Sequence, residues 1–189
     1  MPTLSLQRNA VLLLIDLQQA IDDPSWGRRN NPECEKVVAA LLAAWRARRM
    51  PIIHVRHDSA KPNSTYRPGQ PGHEFKLEAM PHAGERVIAK ETNSAFIATG
   101  LEARLRESGL TTLVVAGVIT NNSVEATVRM AGNLGFAVYV AADGCFTVDK
   151  RDLGGELYPA ERVHALSLAN MHGEYATVVA SGEVLAALP

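Results

Sequence analysis

Cysteine is scarce in this chain. Cys34 and Cys145 are the only two among 189 residues, and they form no C-x-x-C pair. That excludes a disulfide framework and a zinc ribbon, and leaves both as small apolar fillers. Excess charge of either sign is also missing. Nineteen Lys and Arg stand against 20 Asp and Glu, a formal net charge of −1, so no surface for nucleic acid or anionic membrane is expected. No apolar run approaches the ~20 residues of a membrane-spanning helix. The polar stretch from Met1 to Asn9 has no signal-peptide pattern, so a cytoplasmic location is the expectation. Of the six histidines, His73, His82, His164 and His172 show no metal-ligand spacing with one another or with cysteine, and no metal site is expected. Repeats, low-complexity tracts and interdomain linkers are wanting as well. A single domain over 1–189, with a sizeable core, fits this length and a composition of 47% hydrophobic and 21% charged residues.

What is present is a regular alternation of strand and helix. Ala10 to Ile15 (AVLLLI) is a continuous apolar run, as in a central parallel strand covered on both faces. Glu33 to Arg48 carries Val37, Val38, Leu41, Leu42 and Trp45 on one side of a helix, and Pro51 to Val55 is the second strand of a right-handed βαβ unit. Arg56 to Gly84 is rich in Pro and Gly and aperiodic, the mark of a functional or mobile loop. Further strands are expected at Arg86–Ala89, Thr112–Ala116, Ala137–Ala142 and Ala176–Ala180. Helices are expected at Ala98–Ser108, Ser123–Leu134, Pro159–His172 and Gly182–Leu188. The pattern predicts an α/β fold, a three-layer sandwich around a mainly parallel sheet of about six strands.

In such a sheet the carboxyl ends of the strands line one edge, where ligands bind. Asp16, Lys90 and Ser123 each follow a predicted strand end, so an acid, a cation and a nucleophile-type residue can meet there. Each has a plainer reading. Ser123, like its neighbours Asn121 and Asn122, suits a helix cap. Asp16 suits a turn cap, and Lys90 an exposed surface lysine. Asp143, followed by Gly144, suits a turn. His54, inside a strand, suits a satisfied core or interface residue, whereas His57 at a strand end stands next to the proposed site.

Three stretches then carry a family resemblance. Asp16-Leu17-Gln18, Lys90-Glu91-Thr92-Asn93-Ser94-Ala95-Phe96 and Gly117-Val118-Ile119-Thr120-Asn121-Asn122-Ser123-Val124 resemble, in order and spacing, the three signatures D-x-Q, K-x-x-x-S-A-F and G-V-x-T-x-x-C-V of the isochorismatase-like cysteine hydrolases. The likeness runs over essentially the whole chain. It implies a hydrolase of small amides, ureides or related C–N compounds with an Asp-Lys-Cys triad and no redox cofactor. Asp16 would be the general base, Lys90 its partner, and Ser123 would occupy the nucleophile position. A cis peptide would fall at Val118–Ile119 and aim the backbone N–H groups of Ile119 and Ser123 at the substrate oxyanion. Gln18, Trp26, His57 and Tyr66 would contact substrate, and the loop around Tyr66 would cover the pocket or a subunit interface in a homodimer or homotetramer.

The sequence departs from the family at the nucleophile, where serine replaces cysteine. A thiol of pKa ~8.5 becomes a thiolate readily, whereas a serine hydroxyl needs a well-placed base. Three explanations follow: a Cys-to-Ser form of a cysteine hydrolase, favoured because everything around Ser123 fits one; a vinyl-ether hydrolase of the isochorismatase branch with Asp16 as general acid; or a non-catalytic binding protein on the same fold. A lesser departure is Ile21, where relatives often carry an aromatic; Trp26 is the alternative aromatic wall, or an ordinary core tryptophan.

Overall fold

Strand β1 (Val11–Ile15) is buried along its whole length because both of its faces are covered. Val11, Leu13 and Ile15 point into one apolar cluster, Leu12 and Leu14 into the other. In the computed structural model, which describes residues 4–189, β1 is the third strand of a six-stranded sheet. Residues 1–3 of the polar N-terminal stretch lie outside the described residues.

The other strands are β2 (Ile52–His57), β3 (Arg86–Lys90), β4 (Thr112–Val118), β5 (Ala137–Phe146) and, past a two-stranded hairpin, β8 (Thr177–Val179). The order is β3-β2-β1-β4-β5-β8 and every pairing is parallel. The chain steps outward from β1 to β2 and β3, then returns to the far side of β1 with β4. That reversal puts a topological switch point between the carboxyl ends of β1 and β4, where ligands bind in open α/β sheets. Helices α1 (Cys34–Arg48) and α5 (Ser181–Ala186) contribute Leu41, Leu42, Trp45 and Val184 to one face. On the other, α2 (Leu101–Glu107), α3 (Glu125–Asn133) and α4 (Ala160–Met171) contribute Leu101, Leu105, Val128 and Met171. The expected three-layer α/β sandwich is observed. Both cysteines are buried free thiols, the apolar fillers expected of them.

Element ends differ from the expected ones for local reasons. The helix expected from Ala98 starts at Leu101, because Ala98 and Gly100 have left-handed φ values of 56° and 69° and the Thr99 hydroxyl caps the Leu101 N–H at 3.2 Å. Strand β5 runs past the expected Ala142 to Phe146; its pairing with β4 jumps from Val115↔Val140 to Gly117↔Cys145, so β5 carries a bulge. Asp143 sits in that bulge, not in a turn, and accepts from the Ser181 N–H at 2.7 Å and hydroxyl at 2.5 Å, capping α5. A short hairpin, β6 (Lys150–Arg151) with β7 (Leu157–Tyr158), was not anticipated. No helix of the described residues is long and apolar enough to cross a membrane.

Candidate active site

Asp16 is the first residue beyond β1. It adopts a left-handed φ of 52°, a conformation aspartate tolerates better than most residues, and its carboxylate is buried (4% exposed). Lys90 ends β3, two strands away. β2 lies between them, with His57 in register beside Lys90. Adjacent strands are about 4.8 Å apart, so the lysine must cross roughly 10 Å of sheet edge, which its long stem allows. Its ammonium lies 2.7 Å from Asp16 Oδ2, 3.0 Å from the Thr92 carbonyl, 3.3 Å from Ser123 Oγ and 3.5 Å from His57 Nδ1.

Ser123 reaches this point through the end of β4. Gly117 has a φ of 131°, and a Cβ there would lie 2.2 Å from the Ile15 carbonyl oxygen, so only glycine lets β4 approach β1 at this level. The Val118–Ile119 peptide is cis, where the family resemblance places it. The chain then makes a wide helical turn, Thr120–Val124, before α3. The Ile119 carbonyl accepts from Asn122 and Val124 N–H groups at 3.0 and 3.3 Å. The Ile119 N–H has no protein acceptor among the described residues. Asn121 and Asn122 make no capping bond to the turn or to α3; the Asn121 side chain instead accepts from the Thr147 hydroxyl at 2.5 Å. The second signature docks onto the third: the Ala95 N–H donates to Thr127 Oγ1 on α3 at 3.0 Å.

Burial raises the proton affinity of Asp16, opposed by the charge and hydrogen bond of Lys90 and by the Ser123 hydroxyl. Its Oδ1 is buried with no hydrogen-bond partner among the described residues, an acceptor beside the nucleophile position. His57 is pushed down to about 4 by burial and by the Lys90 charge, so its ring is neutral near neutral pH. Burial also raises the Tyr66 hydroxyl, with Asp16 adding to the effect.

These groups open on a cavity of about 590 Å³. Asp16, Ser123, Ile119, Trp26, His57 and Tyr66 all line it; Lys90 sits just behind. Trp26 and His57 both meet Tyr66 edge-on, with ring centroids 6.1 and 5.6 Å away. Gln18 is not on the wall. Its side chain is fully buried; Oε1 accepts from the His57 N–H at 2.7 Å, and Nε2 donates to the carbonyls of His57 (3.2 Å) and His73 (2.8 Å). Gln18 therefore pins the start of the 56–84 loop to the end of β1. The segment from Ser59 to Thr65, with Glu91 and Asn93, forms walls the sequence reading did not single out. Its one legible signal was its place after a strand end, since the loop is aperiodic. His54 lies away from this cavity, 2.8 Å from Glu85, and its other ring nitrogen has no partner among the described residues, so it is core but not fully satisfied there. A larger concavity, about 800 Å³, lies elsewhere. Its central lysine is tied into ion pairs, with Lys76 2.6 Å from Asp22 and 2.9 Å from Glu35. Among the described residues no group of three or more His, Cys, Asp or Glu side chains is placed to hold a metal ion.

A parallel α/β sheet presenting an acid, a lysine and a hydroxyl at its switch point has its reactive side chains where ligands bind in open α/β proteins. The model of the isochorismatase domain matches residues 10–183, and the chain belongs to that family. An isochorismatase-family protein of Chromobacterium violaceum is 64% identical in a crystal structure that covers 99% of this chain and 98% of that one, with a TM-score of 0.96. The isochorismatase family protein YrdC of Bacillus subtilis is 36% identical over 95% of this chain and 96% of its own length. A streptothricin hydrolase of Streptomyces noursei is 35% identical over 73% of this chain and 50% of its own length.

Proposed function

We propose that this family hydrolase cleaves a C–N bond in a small amide, ureide or carbamoyl compound, with residue 123 as nucleophile, Asp16 as proton carrier and Lys90 as the counter-ion that orients both. One observation carries the reading: a single buried ammonium lies 2.7 Å from the Asp16 carboxylate and 3.3 Å from Ser123 Oγ. The bond from Lys90 uses a lone pair of Oγ and leaves its proton for Asp16. As that proton moves to Asp16, Oγ adds to the substrate carbonyl carbon. The oxyanion is stabilised by the backbone N–H groups of Ile119 and Ser123. Collapse breaks the C–N bond, and the leaving amine takes the proton from Asp16. Water then adds to the acyl intermediate, giving a proton to Asp16, and residue 123 leaves with that proton to regenerate the site. Trp26, His57 and Tyr66 bind substrate, and Gln18 acts through the backbone of His57.

An alcohol is a poorer nucleophile here than a thiol of pKa ~8.5. The working form in this reading carries cysteine at 123, and the chain with Ser123 holds substrate with little turnover. No cofactor, nucleic acid or membrane takes part; the setting is cytoplasmic. The chain assembles as a homodimer or homotetramer, supported by the exposure of Leu153, Leu157 and Leu166 and measurable by sedimentation equilibrium.

A second reading rests on the raised proton affinity of Asp16, which suits a general acid protonating a vinyl ether. Amine release from a panel of small amides and ureides separates the two. The C–N reading expects Ser123→Cys to outpace the parent chain and Asp16→Asn to lose about 10²–10⁴-fold from that level. Hydrolysis of isochorismate by the parent chain, undiminished in Ser123→Ala, would move the assignment to the acid mechanism. If neither form turns over any substrate, the chain is a binding protein.

A further inference from the structure

We propose that His164, on α4, is a positioning residue: by accepting a hydrogen bond from the Thr120 hydroxyl it holds the turn that presents residue 123 to Lys90 and Asp16. The inference rests on residue 123 being the nucleophile. It concerns a residue that lines neither the cavity nor any of the three signatures.

The inward stripe of α4 is Ala160, His164, Ser167 and Met171, at helical spacing. Such a stripe is ordinarily apolar throughout, since buried polar groups must be hydrogen-bonded to be tolerated. Here its two central members are polar, and they reach the turn that carries Ser123 and the helix that follows it. His164 Nδ1 is 2.8 Å from Thr120 Oγ1, at the first residue of the wide turn. Ser167 Oγ donates to Glu125 Oε2 at 2.6 Å, at the first residue of α3. The nucleophile position is therefore bracketed, with one bond from α4 before it and one after it. Thr120 is fully buried and His164 nearly so, which leaves water no ready access to replace either partner.

The chemistry of the pair has a direction. Burial lowers the proton affinity of His164, against a smaller opposing pull from the Ala142 carbonyl. In the neutral tautomer that carries its proton on Nε2, Nδ1 is bare, and there Thr120 donates and His164 accepts across the 2.8 Å contact. Thr120 is three residues from Ser123, and a loosened turn would move Oγ off the 3.3 Å contact with Lys90. Asparagine at 164 offers an acceptor oxygen close to where Nδ1 stands; leucine fills the space and offers none.

The experiment uses the full chain carrying Ser123→Cys and follows its alkylation by iodoacetamide against pH. Cys34 and Cys145 do not compete, because both are fully buried and burial holds their thiols well above the ordinary range. The expected parent profile has an apparent thiol pKa below the ~8.5 of a free cysteine. Adding His164→Leu or Thr120→Val should raise it by about one unit, a tenfold loss of thiolate at lower pH. The double variant should add nothing further, and His164→Asn should keep the parent profile. An unchanged profile in His164→Leu would overturn the proposal. So would equal losses in the Leu and Asn variants that track their melting temperatures, since that pattern marks simple destabilisation. A free-cysteine profile already in the parent would overturn both this proposal and the nucleophile assignment. Normal tuning without amide turnover would instead leave the positioning role standing and remove only the substrate class.

Discussion

Ionic groups that are half-buried or buried in this chain fall into two kinds, and Glu85 and Asp16 separate them. Glu85 is of the structural kind. Burial alone would raise its carboxyl, but the bond from Arg46, the His82 N–H and His54 together hold it down to about 2. A carboxyl lowered in the folded state stabilises fully above its unfolded value of ~4.3, and that stabilisation disappears as the pH falls toward 2. Glu85→Gln should therefore cost roughly 2 kcal/mol at pH 7 and progressively less below pH 4, read by urea denaturation at both ends. An equal loss at pH 7 and pH 3 would contradict this linkage. Asp16 is of the other kind. Its proton affinity is raised despite an ammonium at 2.7 Å, and one of its oxygens has no partner among the described residues. A stabilising ion pair would be fully satisfied; an unsatisfied buried carboxylate next to a hydroxyl is poised to accept a proton.

At the scale of elements, the site depends on how closely β4 can approach β1. Gly117 is the critical contact, through a φ of 131° and the 2.2 Å that a Cβ would have to the Ile15 oxygen. Gly117→Ala should cost at least about 3 kcal/mol, or prevent folding, by combining backbone strain with overpacking. Chemical denaturation gives the value directly; a loss under about 1 kcal/mol would mean that the strands can separate without penalty. The elements themselves were largely legible. β1 announced itself as an unbroken apolar run, and α1 by its 3.6-residue period. Their ends were less so: the start of α2 depends on left-handed residues at Ala98 and Gly100, and the bulge in β5 on the docking of α5 through Asp143. Neither leaves a periodic trace in its own segment.

Across the whole molecule, the strand order brings the three signatures together. Asp16, Lys90 and Ser123 could be nominated from sequence because each follows a strand end, and parallel pairing places those ends on one edge. The rest of the cavity could not be read that way. The residues flanking Ser59 to Thr65 are tied down by bonds that cross the loop, His73 to Asp58 at 2.7 Å and Gln18 to the backbone of His57 and His73. Contacts of that kind depend on tertiary packing, not local pattern. Gln18 illustrates the limit: the D-x-Q resemblance implied a substrate contact, and its bonds to the backbone of His57 and His73 make it a clamp.

The central claim is that residue 123 bonds covalently to substrate. Intact-protein and peptide mass spectrometry of the Ser123→Cys chain, quenched during turnover of a reactive small amide, tests it most directly. The expected result is an acyl mass increment on the peptide containing residue 123. It should be absent in Ser123→Ala and persist longer when hydrolysis is slowed by Asp16→Asn after acylation with an activated ester. Turnover at an undiminished rate in Ser123→Ala, with no increment on any peptide, would contradict it.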